Sequence, residues 1–276
     1  MSIVGCGRAG GAIGLALKRN GYEIAAAWSR SRGGRQRAQR LLDVPVLPGI
    51  PDVSAAADVV FVTVPDGAIE EVGRSVATGI RPGRLAVHTS GVVSIDALAP
   101  VRDAGGRIGS LHPLQTLPDA KAGADALSGA AVAVTCEAAD EPALQRIARG
   151  WGGRPFSLPD AGKAIYHAAA VFASNYVVSS VWAAVRLFEK LGVHNAQQLI
   201  APLAQASMHN VVSMQPGLAI TGPVVRGDTE TVRLHVAELR ASDPTGGRIT
   251  EAYRAMARLT AMLSGADVQA FEKATA

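Results

Sequence analysis

The chain has 276 residues, 48% of them hydrophobic and 18% charged, with a formal net charge of +4. That balance excludes a disordered chain, and the length suits about two domains. The basic excess gathers at Arg30, Arg32, Arg35, Arg37 and Arg40, and only 4% of residues are aromatic, which argues against a general nucleic-acid surface or a base-stacking platform. Cys6 and Cys136 are far apart and match no metal spacing, so no metal site is expected and a reducing cytoplasm fits. A strand-like run, SIVG, begins at Ser2 with no secretory pattern ahead of it, again as expected for a cytoplasmic protein.

Short β-branched runs then alternate with alanine-rich helical stretches, the pattern of a mostly parallel sheet with crossover helices. Strands are expected at Ser2–Val4, Glu23–Trp28, Val44–Leu47, Asp58–Val64, Arg84–His88, Arg107–Leu111, Ala130–Thr135 and Arg154–Leu158. The first turn reads GCGRAG, with Gly5, Gly7 and Gly10 in the GxGxxG spacing and Arg8 and Ala9 opening a helix. Glycines so placed serve a tight turn, close backbone approach to a pyrophosphate, and helix–strand packing. No carboxylate occurs from Trp28 to Leu42, where an NAD-binding chain carries an acid for the ribose hydroxyl. Ser29, Arg30, Ser31 and Arg32 offer hydroxyls and guanidinium groups suited to a 2′-phosphate, so NADP(H) is the expected cofactor. Arg35, Arg37 and Arg40 read as a solvated helix face.

Further along, Val64 and Pro65 end a strand that should border the cofactor, and Asp66 reads as a cap for the next helix. Ser90, in HTSG, is either a cap or a group facing substrate. His112, in LHPLQT, is either structural or substrate-facing. Beyond Leu158 the composition changes to long helical stretches, which divides the chain into residues 1–158, a nucleotide-binding α/β domain, and 159–276, an all-helical domain. From Ala164 to Val185 there is no charged residue. This run is long enough to cross a bilayer, but its polar residues favour a buried helix over a membrane span. At its head, Lys163, His167, Ala170 and Ser174 share one helical stripe, with Asn175 off it. A lysine and histidine there are expected to face a cleft between the domains.

GCGRAG, WSRS, VPD, HTSG, LHPLQT and KAIYH occur in the order seen in β-hydroxyacid-dehydrogenase-like reductases, a group that includes the ketopantoate reductases. More narrowly, HTSG, LHPLQT, the KxxYH helix with its following SN, and ITGPVVRGDTETV resemble the Rossmann-like proteins with a C-terminal helical domain of unknown function. The resemblance covers nearly the whole chain. It implies that Lys163 acts as acid or base. The broader group usually has Asn four residues after that lysine, where this chain has His167.

The expectation is therefore an NADP(H)-dependent reductase that transfers hydride to a carbonyl, possible substrates including a small 2-keto acid such as ketopantoate, with Lys163 as proton donor and His167 beside it. Ser90, His112, Asn175 and Arg226 are expected to line the substrate pocket. A homodimer acting on a small organic acid, without nucleic-acid or membrane partners, completes the reading. The competing reading is a dinucleotide-binding sensor or assembly protein without catalysis.

Overall fold

Short runs of mostly apolar side chains build seven strands, β1 (Ser2–Val4), β2 (Ala26–Trp28), β3 (Val59–Val62), β4 (Leu85–His88), β5 (Arg107–Pro113), β6 (Ala131–Cys136) and β7 (Arg154–Ser157). The computed structural model describes residues 1–276 and joins these strands in one sheet of order β2-β1-β3-β4-β5-β6-β7. Neighbours run parallel except β5 and β6, which pair antiparallel. The run Val44–Leu47, expected as a strand, makes only one bridge, between Ala27 and Val46. Pro45 lacks the N–H that a ladder needs, and Pro48 ends the run.

Both faces of the sheet are buried across its inner strands, as a parallel sheet requires, while the edge strand β7 is largely exposed. Ile3, Phe61, Val87 and Val134 pack with the helices Arg8–Arg19 and Glu141–Gly150. Their neighbours Val4, Val60, Val62 and Ala86 pack on the other side with Val53, Val72, Val76 and Val101. Helix Arg8–Arg19 lies close against helix Ala120–Ala126. A Cβ added at Gly11 would sit 2.8 Å from that of Ala120, and one at Gly123 would sit 2.9 Å from that of Ala12.

The chain divides into two units, Met1–Ser174 and Asn175–Ala276. The division falls after the helix Lys163–Ala173 rather than after residue 158, so the lysine helix belongs with the sheet. The second unit is helical: Asn175–Lys190, Ala196–Ser213, Pro216–Ala219, Thr229–Ser242, Arg248–Ser264 and Val268–Thr275. Asp228 caps the Thr229 helix by accepting from the Thr231 N–H (3.0 Å). Val224, Val232, Ala257, Ala261 and Phe271 form a small core there.

The uncharged run does not form a buried helix. It breaks at Ser174, which leaves helical geometry at φ −127° and ψ −73°, and within the chain only Lys163 of the first helix and no residue of the second is buried. Ile165 in the first unit is 76% exposed, and Val178, Leu203 and Val212 in the second are about as open, at 68%, 70% and 80%. The segment Asp160–Lys190 is long and apolar enough to cross a membrane by length and composition.

Candidate functional site

The glycine turn follows β1 and opens the helix Arg8–Arg19. Gly5 adopts φ +102°, a left-handed conformation that favours glycine, and a Cβ there would lie 2.8 Å from the Thr63 carbonyl oxygen. Gly10 is pressed against Gly5 and Thr63, whose hydroxyl donates to the Gly5 carbonyl at 2.6 Å. Gly7 is different: a Cβ there would meet no atom within 4 Å. It borders a cleft of about 590 Å³ with Arg8, Ala9, Val64, Pro65 and His112. No side chain caps the helix that starts here, and its first turn holds no acid. Unpaired N–H groups beside open space on the far side of a glycine suit an anionic phosphate linkage. Five of the expected cofactor residues, Gly7, Arg8, Ala9, Val64 and Pro65, thus lie on one cleft, at the carboxyl ends of β1 and β3.

At the end of β2, Ser29 is buried, and the Ser31 hydroxyl caps the helix Arg32–Arg37 by accepting from the Gly34 N–H at 3.0 Å. Arg30 and Arg32 are exposed. Of the arginines read as a solvated face, two are engaged. Arg37 donates through Nε to the Cys6 carbonyl (2.8 Å), inside the glycine turn. Arg35 donates to the carbonyls of Ser29 and Arg30 (3.1 and 2.7 Å) and so braces the loop that carries Arg30. Burial pushes the Cys6 thiol up to about 12, which removes it from thiolate chemistry.

Lys163 is buried inside the first unit, 2% exposed, and its ammonium donates to the Ser90 carbonyl (3.0 Å) and to Ser110 Oγ (2.8 Å). An ammonium has three N–H donors, so one remains. Burial drives its pKa from 10.5 down to about 8, against the opposing pull of Asp160 and Asp66. Asp160 is held by the Ile95 N–H at 3.0 Å, whereas Asp66 opens a short 3₁₀ turn without the side-chain cap expected of it. The Ser90 hydroxyl accepts from the Val92 and Val93 N–H groups (3.2 and 3.0 Å), so the capping alternative describes its side chain. Ser110 donates to the Ser90 carbonyl at 3.2 Å.

Next to this lysine, two histidines lie edge to face. His112 and His167 have ring centroids 5.9 Å apart at 81°. Gly91 separates them: a Cβ there would fall 2.9 Å from both His112 Nε2 and His167 Nδ1, so only glycine lets the rings converge. His112 Nδ1 is hydrogen-bonded to the Tyr166 hydroxyl at 2.7 Å. Burial, then His167 and Lys163, pull His112 down to about 4, leaving it neutral at physiological pH. His88, buried beneath them, is lowered to about 3 by burial and then Lys163, and its Nδ1 accepts from the Ser90 N–H at 3.2 Å.

Of the expected site residues, Ser90, His112, Lys163 and His167 therefore meet in one cluster of the first unit. Asn175 and Arg226 belong to the second unit, both exposed, Asn175 as the first residue of its helix. Ser110 and Tyr166 escaped the sequence reading. Ser110 lies two positions before His112 on β5, hence on the same face of the strand, a spacing that would have pointed to it.

Residues 1–113 match the Rossmann-like domain family, and residues 130–260 match the domain of unknown function DUF2520. The chain joins a Rossmann-like domain to a DUF2520 domain. Among solved structures, it is similar to a candidate NADP oxidoreductase from Bacteroides fragilis, at 23% identity and a TM-score of 0.78 over 95% of this chain and 97% of that one. It also resembles protein TM1727 from Thermotoga maritima, with 25% identity and a TM-score of 0.71 over 96% and 98%. A third likeness is to an imine reductase from Streptomyces aurantiacus, 18% identical with a TM-score of 0.66 over 99% and 98%. These likenesses establish the Rossmann-like fold followed by helices. No curated protein matches the chain.

Proposed function

We propose that this protein is an NADP(H)-dependent oxidoreductase that reduces a carbonyl compound, with a small 2-keto acid such as ketopantoate as the first substrate to test. The observation that carries the reading is the cleft where Gly7 leaves open space beside an uncapped helix N-terminus and His112. The NADP oxidoreductase and the imine reductase among the structural neighbours support the same class. When bound, the nicotinamide supplies a hydride to the electrophilic carbon. The chain's own part is to hold the dinucleotide at Gly7–Gly10 and to deliver a proton to the substrate oxygen. Lys163 is the proposed donor. Two of its N–H groups fix its position and the third is left for substrate; the neutral amine that remains regains its proton from water.

A panel of keto acids, simple ketones and cyclic imines, assayed for NADPH consumption, tests the activity. Oxidation of NADPH with a carbonyl acid is expected. Tight NADPH binding with no turnover on any member would instead favour the non-catalytic sensor.

Arg30 and Arg32 are proposed to grip the 2′-phosphate. Neither guanidinium makes an ion pair within the chain, and no carboxylate precedes Asp43 in this loop. A charge-assisted bond is worth about 1.5–3 kcal/mol, so Arg30→Ala/Arg32→Ala should weaken NADPH binding roughly tenfold or more and leave NADH unchanged. Equal losses for both nucleotides in calorimetric titrations would assign these arginines to the fold.

The protein is further proposed to act as a homodimer in the cytoplasm. Val178, Trp182, Leu199, Leu203 and Val212 are each more than half exposed, more apolar surface than one small helical unit normally leaves to water. Light scattering should return twice the mass of the chain. A monodisperse monomer at micromolar concentration would remove the dimer, and partition into vesicles would assign this surface to a membrane.

A further inference from the structure

We propose that Tyr166 locks His112 in its Nε2–H tautomer, making His112 a neutral hydrogen-bond donor for a substrate carbonyl oxygen at the cleft; this rests on the reductase reading. Tyr166 Oη lies 2.7 Å from His112 Nδ1, and this is its one hydrogen bond. Two arrangements fit that distance. If Nδ1 carried the proton, Nδ1–H would donate to the phenol oxygen, and the phenol O–H would then have no acceptor within the chain. If the phenol donates to Nδ1, its own hydrogen is satisfied, and the imidazole proton must sit on Nε2. Nε2 has no partner within the chain and is not among its sealed polar atoms, while His112 forms part of the cleft wall with Gly7, Val64 and Pro65. The free N–H is therefore the one available to a ligand.

Two rings hold the imidazole of His112. Tyr166 packs on it edge to face with centroids 5.4 Å apart, His167 does the same at 5.9 Å, and a side chain at Gly91 would collide with its Cε1–Nε2 edge. A neutral donor held so firmly polarises an acceptor without reorganising as charge develops. The arrangement also selects a substrate class. A carbonyl oxygen has lone pairs for the Nε2–H, whereas a protonated imine has none and would bring its own N–H and positive charge against Nε2–H and the Lys163 ammonium. His112 is thus a catalytic residue beside Lys163, and Tyr166 is a positioning residue that acts through it.

The test is long-range proton–nitrogen NMR of the histidine rings in the full-length protein, with the His112 signals identified by their loss in His112→Gln. Wild-type His112 is expected as a neutral ring with the proton on Nε2 at pH 7, and Tyr166→Phe is expected to mix in the Nδ1–H form. A wild-type Nδ1–H tautomer, or an imidazolium at pH 7, would overturn the proposal; so would a Tyr166→Phe spectrum with an unchanged tautomer ratio. If Tyr166→Phe fails to fold, the wild-type spectrum decides alone. NADPH-induced stabilisation, read on the same samples, separates failure of the cofactor reading from failure of this one. The tautomer is measured without cofactor or substrate.

Discussion

Replacing Lys163 by methionine is expected to lower turnover by about 10²-fold or more while NADPH still binds. Methionine keeps much of the buried volume, so the loss is chemical rather than a collapse of the cluster around Ser90 and Ser110. The pH profile gives an independent reading. In the reductive direction the acid must be protonated, so wild-type kcat/KM should fall as pH rises through about 8, where Lys163 loses its proton. That limb should vanish in Lys163→Met. Stability follows the same group. The folded-state pKa is depressed from 10.5, so the unfolded chain binds more protons between about 8 and 10.5, and the Lys163 contribution makes the protein more stable as pH rises across that window. The depression corresponds to roughly 3 kcal/mol against the charged form at neutral pH, and methionine relieves it. A Lys163→Met protein with near wild-type turnover would remove the lysine from the chemistry.

The second large effect is expected at Gly7. Gly7→Ala should leave the melting temperature unchanged, because the new methyl meets no atom of the chain within 4 Å. It should weaken NADPH binding at least about tenfold, because the methyl occupies the approach of the pyrophosphate. Gly10→Ala should behave in the opposite way. Its methyl would collide with the Gly5 carbonyl and the Thr63 hydroxyl, so it should cost about 1–3 kcal/mol of stability whether or not nucleotide is present. Thermal melts with and without NADPH on both variants check the contrast. A Gly7→Ala protein that binds NADPH like wild type would show that the open space is not where phosphate sits.

The sheet was legible in the sequence because short continuous runs of Val, Ile and Ala, apolar on both faces, mark its inner strands. The exception, Val44–Leu47, has strand-like side chains but a proline at Pro45, and hydrogen bonding overrode hydrophobicity. The glycine turn was legible as well: Gly5 and Gly10 have steric reasons within the chain, and Gly7 leaves open space beside the helix start. The lysine helix was only partly legible. Its apolar run suggested burial, yet the chain buries none of it beyond Lys163, because apolarity says that a face wants cover without saying what supplies it. The partners that fix the lysine, Ser90 and Ser110, lie 73 and 53 residues away in sequence and leave no local signature. Tyr166 stood in plain view three positions after Lys163. Its meaning depends on His112, 54 residues earlier, and only the fold brings the two together.

The measurement that tests the central claim most directly is a pair of titrations of the purified protein, one with NADPH and one with NADH, followed by thermal unfolding. Saturation at about 100 times the dissociation constant should add roughly 2.7 kcal/mol of stability. The structure of the Gly5–Gly10 turn and the free guanidinium groups of Arg30 and Arg32 predict a rise with NADPH well above that with NADH. No rise with either nucleotide would contradict the cofactor assignment, and with it the role proposed for Lys163.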